Sequence, residues 1–187
     1  MENYKQEFIN FSLNQGVLEF GEFELKSGRM SPYFFNMGLF NSGSTIAKLG
    51  DFYAQALVNE EKEFDLLFGP AYKGIPIVTS LASSLSKNHN IDKPFTFNRK
   101  EAKDHGVTGR LAGALQPGDK VVITEDTVTR GTSLFEAVEV VRAYGAEPVL
   151  ITVIVDRGGT CAAMAEAAGI PYIPMLTAPD LGFDFGS

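Results

Sequence analysis

A stretch in the C-terminal half of the chain orders carboxylates, hydroxyls and glycine in a way that suits a phosphorylated sugar. The run KVVIT at residues 120–124 predicts a buried strand, which ends in Glu125 and Asp126. Residues 129–133, rich in hydroxyls and glycine, then open a predicted helix over residues 134–144. Helix N-terminal N–H groups and hydroxyls bind phosphate, while carboxylates suit ribose hydroxyls or Mg²⁺. We therefore expect one loop to hold a sugar and its phosphate side by side.

A simpler interpretation of this stretch is that Thr132 or Ser133 is only a helix N-cap and the acidic pair a solvated turn. The stretch is not a Walker A loop, because no Gly-Lys-Ser/Thr closes it. Local positive charge for an anionic substrate is supplied by the segment 99–110. Its cationic side chains are Arg99, Lys100, Lys103 and Arg110.

The bulk composition indicates one domain with an acidic balance. The chain has 187 residues, 44% of them apolar, and a net charge of −7. This length supports one sizeable core, and the charge argues against a broad nucleic-acid surface, which requires clustered Lys and Arg. No apolar stretch approaches the roughly 20 residues of a membrane span, and the N-terminal MENYKQEF is too polar for a secretory signal. We expect a single domain over residues 1–187, in the cytoplasm, without nucleic-acid or membrane partners.

Apolar runs alternate with helical patterns from residue 61 onwards. Strands are predicted at residues 64–68, 120–124, 148–155 and 172–176, with helices after Gly69-Pro70 and over 134–144 and 162–168. Such alternation predicts an α/β fold, with a mostly parallel sheet flanked by helices and ligands beyond the carboxyl ends of the strands. Residues 1–60, with helices at 2–14 and 45–60 and short β-like segments at 20–25 and 33–37, are interpreted as a small N-terminal cap on the core of residues 61–187.

Four segments of the chain together resemble one enzyme family. The acidic pair and Thr/Gly-rich loop between strand and helix is similar to the phosphoribosyl-diphosphate motif of type I phosphoribosyltransferases. Residues 25–36 (LKSGRMSPYFFN), 68–76 (FGPAYKGIP) and 97–106 (FNRKEAKDHG) look like orotate phosphoribosyltransferase. The resemblance covers residues 1 to about 160. It implies the type I phosphoribosyltransferase fold and transfer of ribose 5-phosphate from 5-phosphoribosyl 1-diphosphate to orotate, a step of pyrimidine biosynthesis.

Carried over position by position, the resemblance implies roles for individual residues. The donor would be bound by Lys26, Tyr72, Lys73, Arg99, Lys103 and His105, and by Lys100 from the neighbouring subunit of a homodimer. The ribose 5-phosphate would lie against Glu125, Asp126, Thr127, Val128, Thr129, Arg130, Gly131, Thr132 and Ser133. Orotate would be held by Phe34 and Phe35, with Thr129 and Arg157 at its polar edge and carboxylate.

The implied chemistry assigns catalysis to Lys100, Lys103, His105 and Asp126. The cations would stabilise the departing pyrophosphate together with Mg²⁺. The metal would be held mainly by the substrate, with Asp126 a ligand of its water and no direct protein ligand. The segment 100–113, bounded by glycine and without strong periodicity, would close as a lid that excludes water.

Several alternatives stay open at this point. Either phenylalanine ring of Phe34-Phe35 is equally well explained as strand core, and surface lysines are commonly only solvated. Glu125 and Arg130 depart from the family pattern, which has Asp and a small residue there; Arg130 either contacts the 5-phosphate or points into solvent. A regulator of the same fold would sense the sugar donor without turnover, but the lid residues favour an enzyme. A purine as the base is disfavoured by Phe34-Phe35 and by Arg157, which suits a carboxylated base.

Overall fold

The N-terminal part of the protein consists of helices around a two-stranded hairpin. A computed structural model describes residues 3–25, 28–99 and 111–186. The hairpin strands are antiparallel, and a short 3-10 helix, Met37–Leu39, follows them. In chain order the elements are α1 (Asn3–Asn14), β1 (Leu18–Glu24), β2 (Met30–Phe35) and α2 (Gly43–Val58).

The remainder of the chain alternates strands and helices, as its apolar pattern predicts. A second 3-10 helix, Pro179–Leu181, follows the last strand. The elements are β3 (Leu66–Phe68), α3 (Gly74–His89), β4 (Phe95–Asn98), β5 (Leu111–Ala112), β6 (Lys120–Val128), α4 (Thr132–Ala143), β7 (Glu147–Asp156), α5 (Thr160–Ala168) and β8 (Tyr172–Thr177).

The main sheet confirms the predicted fold class. Within the described residues its order is β5-β4-β3-β6-β7-β8. All neighbouring pairs are parallel except β4 and β5, which are antiparallel at one edge. Strand β7, which lies between β6 and β8, is buried at every position after Glu147, as expected for a parallel strand covered on both faces.

The core lies on both faces of this sheet. Side chains alternate along a strand, so Leu67 of β3 packs towards α2 and α3, whereas Leu66 and Phe68 pack towards α4 and α5. Helix α2 shares its core with α3, β7 and β8. The proposed division into a cap of residues 1–60 and a core of 61–187 stays a prediction. No helix in the described part of the chain is long and apolar enough to cross a membrane.

Two boundaries differ from the sequence predictions in ways that matter for the site. Strand β6 does not end before the acidic pair but continues through Glu125 and Asp126 to Val128, because it stays paired with β7 as far as Asp156. The short strands β4 and β5 were not predicted. β4 is four residues long and β5 two, too short for a period to be evident.

Candidate active site

The carboxyl ends of the parallel strands bring the predicted residues to one edge of the sheet. β3 leads into the loop that carries Tyr72 and Lys73, and β4 is followed directly by Arg99. β6 leads to the loop before α4, and β7 to Arg157. This is the edge at which ligands bind in α/β sheets.

The acidic pair is anchored to two other elements. Lys73, at the start of α3, donates from Nζ to Oδ2 of Asp126 over 2.7 Å. Tyr53 of α2 is fully buried and donates its hydroxyl to the carbonyl oxygen of Glu125 at 2.6 Å. The Glu125 carboxylate is held locally as well, because its Oε1 accepts the backbone N–H of Asp126 at 3.1 Å. The pair is therefore part of the folded framework, and the interpretation as a solvated turn is wrong.

Burial is the main influence on the protonation of Glu125. Glu125 is only 8% exposed, and this burial raises the pKa of its carboxyl to about 7. The backbone N–H of Asp126 opposes the rise, the Asp126 carboxylate adds to it, and the charge of Lys73 opposes it to a smaller extent. Burial also raises the pKa of Tyr53, so its hydroxyl remains a donor. With a pKa of about 7, the Glu125 carboxyl is present in both protonation states at neutral pH, and its protonated form can donate as well as accept a hydrogen bond.

This pKa shift predicts a pH-dependent stability. Between the ordinary pKa of 4.5 and about 7 the folded protein binds more protons than the unfolded chain, so this contribution is complete at low pH and is lost as pH rises through 7. We expect Glu125→Gln, which cannot ionise, to reduce the loss of unfolding free energy between pH 5 and pH 8 by about 2 kcal/mol. Urea titrations at each pH, without metal or substrate, measure the free energy of unfolding. Glu136→Gln on exposed α4 is the matched control, and equal pH profiles for all three proteins would contradict the assignment.

The loop between β6 and α4, predicted to bind phosphate, leads into an uncapped helix N-terminus. Gly131 is the N-cap of α4, with φ of 76° and no side-chain capping bond, a conformation that favours glycine. The first intrahelical bond runs from Phe135 N–H to Gly131 O at 2.9 Å, so the three preceding N–H groups have no acceptor within the helix. Thr132 and Ser133 are exposed first-turn residues. The interpretation of either as an N-cap is therefore wrong, and the helix end is open to an anion.

The loop is supported from beneath by the turn after β7. A side chain at Gly158 would collide with the carbonyl oxygen of Thr129, and Thr160 donates its hydroxyl to the same oxygen at 3.1 Å. A side chain at Gly131 would lie 2.7 Å from Sγ of Cys161, which is buried. Thr129 and Arg130 are exposed above this support. The loop before α4 (residues 129–131) and the turn that follows Arg157 (residues 158–161) are thus packed together.

Arg157 is a buried cation without an ionic partner among the described residues. It is 6% exposed, and its Nη2 donates to Oγ of Ser31 at 2.7 Å and, more weakly, to the carbonyl oxygen of Tyr33 at 3.4 Å. Its Cζ lies 4.6 Å from the centroid of the Tyr33 ring. Nε is buried and has no hydrogen-bond partner in the described part of the chain. Such a guanidinium is costly to bury unless an anion completes it.

The two adjacent phenylalanines of β2 have different surroundings. The Phe35 ring is buried, with its centroid 6.4 Å from those of Phe8 and Phe40. Phe34 is 40% exposed, and its ring lies 5.6 Å from that of Phe23. The alternative that one ring belongs to the core holds for Phe35, so only Phe34 has a ring face accessible to a ligand.

The other residues predicted to bind 5-phosphoribosyl 1-diphosphate divide into two groups. Tyr72, 65% exposed, and Arg99, also exposed, lie at the same sheet edge as Lys73. The remaining predicted residues lie outside the described part of the chain. They are Lys26, Lys100, Lys103 and His105.

Sequence reasoning assigned no role to several residues that shape this site. Asn98 accepts the Ala71 N–H at 2.7 Å and ties the end of β4 to the Tyr72 loop. Asp156 accepts the N–H groups of Gly158 and Gly159 at 3.0 and 2.9 Å. Each is a polar residue at the carboxyl end of a strand, and this position is the signal that would have identified both.

Comparison with known proteins agrees with this geometry. Residues 40–164 match the family model of the phosphoribosyl transferase domain. The chain is 55% identical over 157 residues to an orotate phosphoribosyltransferase of Thioalkalivibrio sulfidiphilus, which spans 84% of this chain and 73% of the relative. It is 50% identical over 188 residues to that of Salmonella newport, covering 97% of this chain and 88% of the relative. The chain belongs to the orotate phosphoribosyltransferase family.

The fold is also that of the orotate phosphoribosyltransferases. The crystal structure of the Francisella tularensis orotate phosphoribosyltransferase superposes with a TM-score of 0.85 at 36% identity, over 97% of this chain and 87% of that one. The predicted family and the type I phosphoribosyltransferase fold are therefore confirmed. Membership of the orotate phosphoribosyltransferase family gives no support to the regulator considered as an alternative.

Proposed function

We propose that the protein transfers ribose 5-phosphate from 5-phosphoribosyl 1-diphosphate to N1 of orotate, releasing orotidine 5-phosphate and pyrophosphate in pyrimidine biosynthesis. The observation that carries the choice of base is the buried guanidinium of Arg157, which lacks an anionic partner in the described residues. Orotate has a carboxylate that can complete this charge in bidentate fashion. Phe34 offers a ring face for the planar base. The names of the relatives agree with this base.

The donor fits the remaining features of the sheet edge. The open N-terminus of α4, with Thr129, Thr132 and Ser133, would bind the 5-phosphate. Glu125 and Asp126 on β6 would accept hydrogen bonds from the ribose hydroxyls. Lys73, Tyr72 and Arg99 would lie along the diphosphate. Because β6 and the loop are continuous, sugar and phosphate would be bound by one rigid segment.

The reaction exchanges one bond at C1 of the sugar for another. The bond from C1 to the pyrophosphate oxygen breaks, its electron pair leaves with pyrophosphate, and N1 of orotate forms the new bond. Bond breaking runs ahead because the ring oxygen shares the positive charge at C1. Lys73 and Arg99, with Lys100, Lys103 and His105, would stabilise the leaving group more in the transition state than in the ground state. Orotate is already an anion, so neither a strong base nor a covalent nucleophile is needed.

The carboxylates of β6 fit a supporting role for Mg²⁺. Two adjacent carboxyl side chains provide the oxygen donors that this ion prefers. The ion would be held mainly by the diphosphate of the sugar substrate. Asp126 would bind its water. The ion, when bound, neutralises charge on the diphosphate.

The proposal also includes a homodimer with shared active sites, a lid over each site and a cytoplasmic location. Lys100 would serve the neighbouring subunit's site, and the segment 100–113 would close to exclude water, which competes with orotate for C1. These points rest on the family resemblance.

Loss of the ultraviolet absorbance of orotate tests the function directly. We expect absorbance to fall when protein, Mg²⁺ and 5-phosphoribosyl 1-diphosphate are mixed with orotate, and to stay constant when the donor is omitted. A donor-sensing regulator would bind 5-phosphoribosyl 1-diphosphate in calorimetry without consuming orotate. Donor binding without consumption would therefore overturn the catalytic proposal.

Arg130 provides a separate test of the phosphate loop. Its exposed side chain precedes the N-cap of α4, within reach of an anion bound there, so we expect it to contact the 5-phosphate. Arg130→Ala should raise the KM for 5-phosphoribosyl 1-diphosphate about 3- to 10-fold and leave the KM for orotate nearly unchanged. Initial-rate kinetics with each substrate varied in turn measure this. An unchanged donor KM would favour the solvated alternative.

A further inference from the structure

The guanidinium of Arg157 packs on one ring of an aromatic pair, Tyr33 and Phe183, to which the proposed function assigns no role. The Tyr33 ring, which lies 4.6 Å from Cζ of Arg157, also stacks on the ring of Phe183. The centroids of the two rings are 5.5 Å apart and their planes differ by 13°. Tyr33 is fully buried. Phe183 is therefore linked to the cation through one shared ring.

The segment that carries Phe183 is also hydrogen-bonded to the turn that carries Arg157. Before Phe183, the N–H of Ala178 donates to the carbonyl oxygen of Asp156 at 3.1 Å. After it, the N–H of Gly186 donates to the carbonyl oxygen of Arg157 at 2.8 Å. The ring of Phe185 lies against Gly159, where a side chain would come within 2.7 Å of it. The segment 178–186 thus follows the Arg157 turn along its length.

These contacts matter because a carboxylate is bound in bidentate fashion only by a guanidinium of fixed plane and direction. Ser31 holds one nitrogen, Nη2, at 2.7 Å, which leaves rotation about that contact. The Tyr33 ring face opposes this rotation, since a guanidinium packs flat on an aromatic face. The ring itself keeps its place only while its own neighbours are present.

We propose that Phe183 is a positioning residue for the base: by stacking on Tyr33 it keeps Arg157 oriented towards the carboxylate of orotate. The segment 178–186 then determines affinity and selectivity for the base but not for the sugar donor. The inference rests on the proposed role of Arg157 in binding orotate. It assigns a task in recognition to a segment that contains none of the predicted site residues.

Substrate-specific kinetics of Phe183→Ala test the proposal. We expect the KM for orotate to rise about 5- to 20-fold, and the KM for 5-phosphoribosyl 1-diphosphate to stay within about twofold. The preference for orotate over uracil should fall in parallel. Phe11→Ala is the matched control, because Phe11 is also partly buried and stacks on the ring of Phe40 at 5.3 Å. Each of the two phenylalanines also has a second, tilted ring nearby, Phe52 for Phe11 at 5.8 Å and Phe20 for Phe183 at 5.9 Å. It should lower the melting temperature without changing either KM.

The same measurements define what would overturn the proposal. If Phe183→Ala is too unstable to assay, Phe183→Leu retains most of the apolar volume and is expected to raise the orotate KM about threefold. An unchanged orotate KM in a folded Phe183 variant, or an equal rise in both KM values, would refute a positioning role. Arg157→Ala distinguishes the positioning role of Phe183 from the proposed function. If Arg157→Ala raises the orotate KM and the Phe183 variants do not, only the positioning role is refuted. If neither change alters the orotate KM, the role of Arg157 in binding orotate is refuted as well.

Discussion

Replacing Arg157 with alanine is expected to lower kcat/KM for orotate by a factor of about 10² or more. The side chain is 6% exposed and is fixed by Ser31 and Tyr33. Truncating one partner of a buried charge pair typically costs about 2 to 5 kcal/mol. Uracil lacks the carboxylate, so the same change should alter its already poor turnover much less. Initial rates with each base at saturating donor measure the difference.

The control for this experiment is an arginine with no proposed part in the site. Arg142 on α4 pairs with Glu139 at 3.2 Å and donates to the carbonyl oxygen of Ala168 at 2.9 Å. Arg142→Ala removes a comparable side chain and should leave the ratio of orotate to uracil turnover unchanged. Equal turnover of the two bases by the unmodified protein would refute the assignment of the base.

Mixing two inactive variants should restore activity if the active sites are shared. Lys100→Ala and Asp126→Asn are each expected to reduce kcat by about 10² to 10³. If Lys100 serves the neighbouring subunit, a hybrid dimer has one site with both defects and one with neither. Random reassortment makes half of the dimers hybrid, so roughly a quarter of all sites should recover full activity. Orotate consumption after subunit exchange measures this recovery.

The structure supplies a matched control for the mixing experiment. Lys73 and Asp126 meet within one chain, 2.7 Å apart, so Lys73→Ala and Asp126→Asn affect the same site. Every site in their hybrid keeps one defect, and no recovery is expected. No recovery in the Lys100 mixture despite confirmed exchange would exclude action of Lys100 across the interface.

Local sequence was enough to predict the parts of the site that are contiguous in the chain. Residues 125–133 form one continuous stretch, and the residue types in it alone indicated a sugar-phosphate loop before a helix. The β-branched run in β7 likewise predicted a buried parallel strand with Arg157 just beyond its end. In both cases the informative residues lie within a single strand or turn, so the local sequence pattern is enough to predict the feature.

Strand pairing and side-chain packing decided where β6 ends, which residue is the N-cap of α4 and which phenylalanine ring is buried. The local sequence pattern could not predict these features. β6 continues through the acidic pair because β7 supplies a partner as far as Asp156, although carboxylates are uncommon inside a strand. Gly131 became the N-cap because Cys161 and Phe135 leave no room for a side chain there. The ring of Phe35 joined the core and that of Phe34 did not, since alternate residues of a strand point to opposite faces.

By itself, the sequence determined the fold class and the family, and it predicted a sugar-phosphate loop, because each depends on the order and type of nearby residues. Only the tertiary structure decided what surrounds the cation proposed to select the base. Ser31 and Arg157 are 126 residues apart in the chain and 2.7 Å apart in space. Phe183 is linked to Arg157 through Tyr33. Contacts of this kind depend on which faces of distant elements pack together, and no periodicity within one segment records that choice.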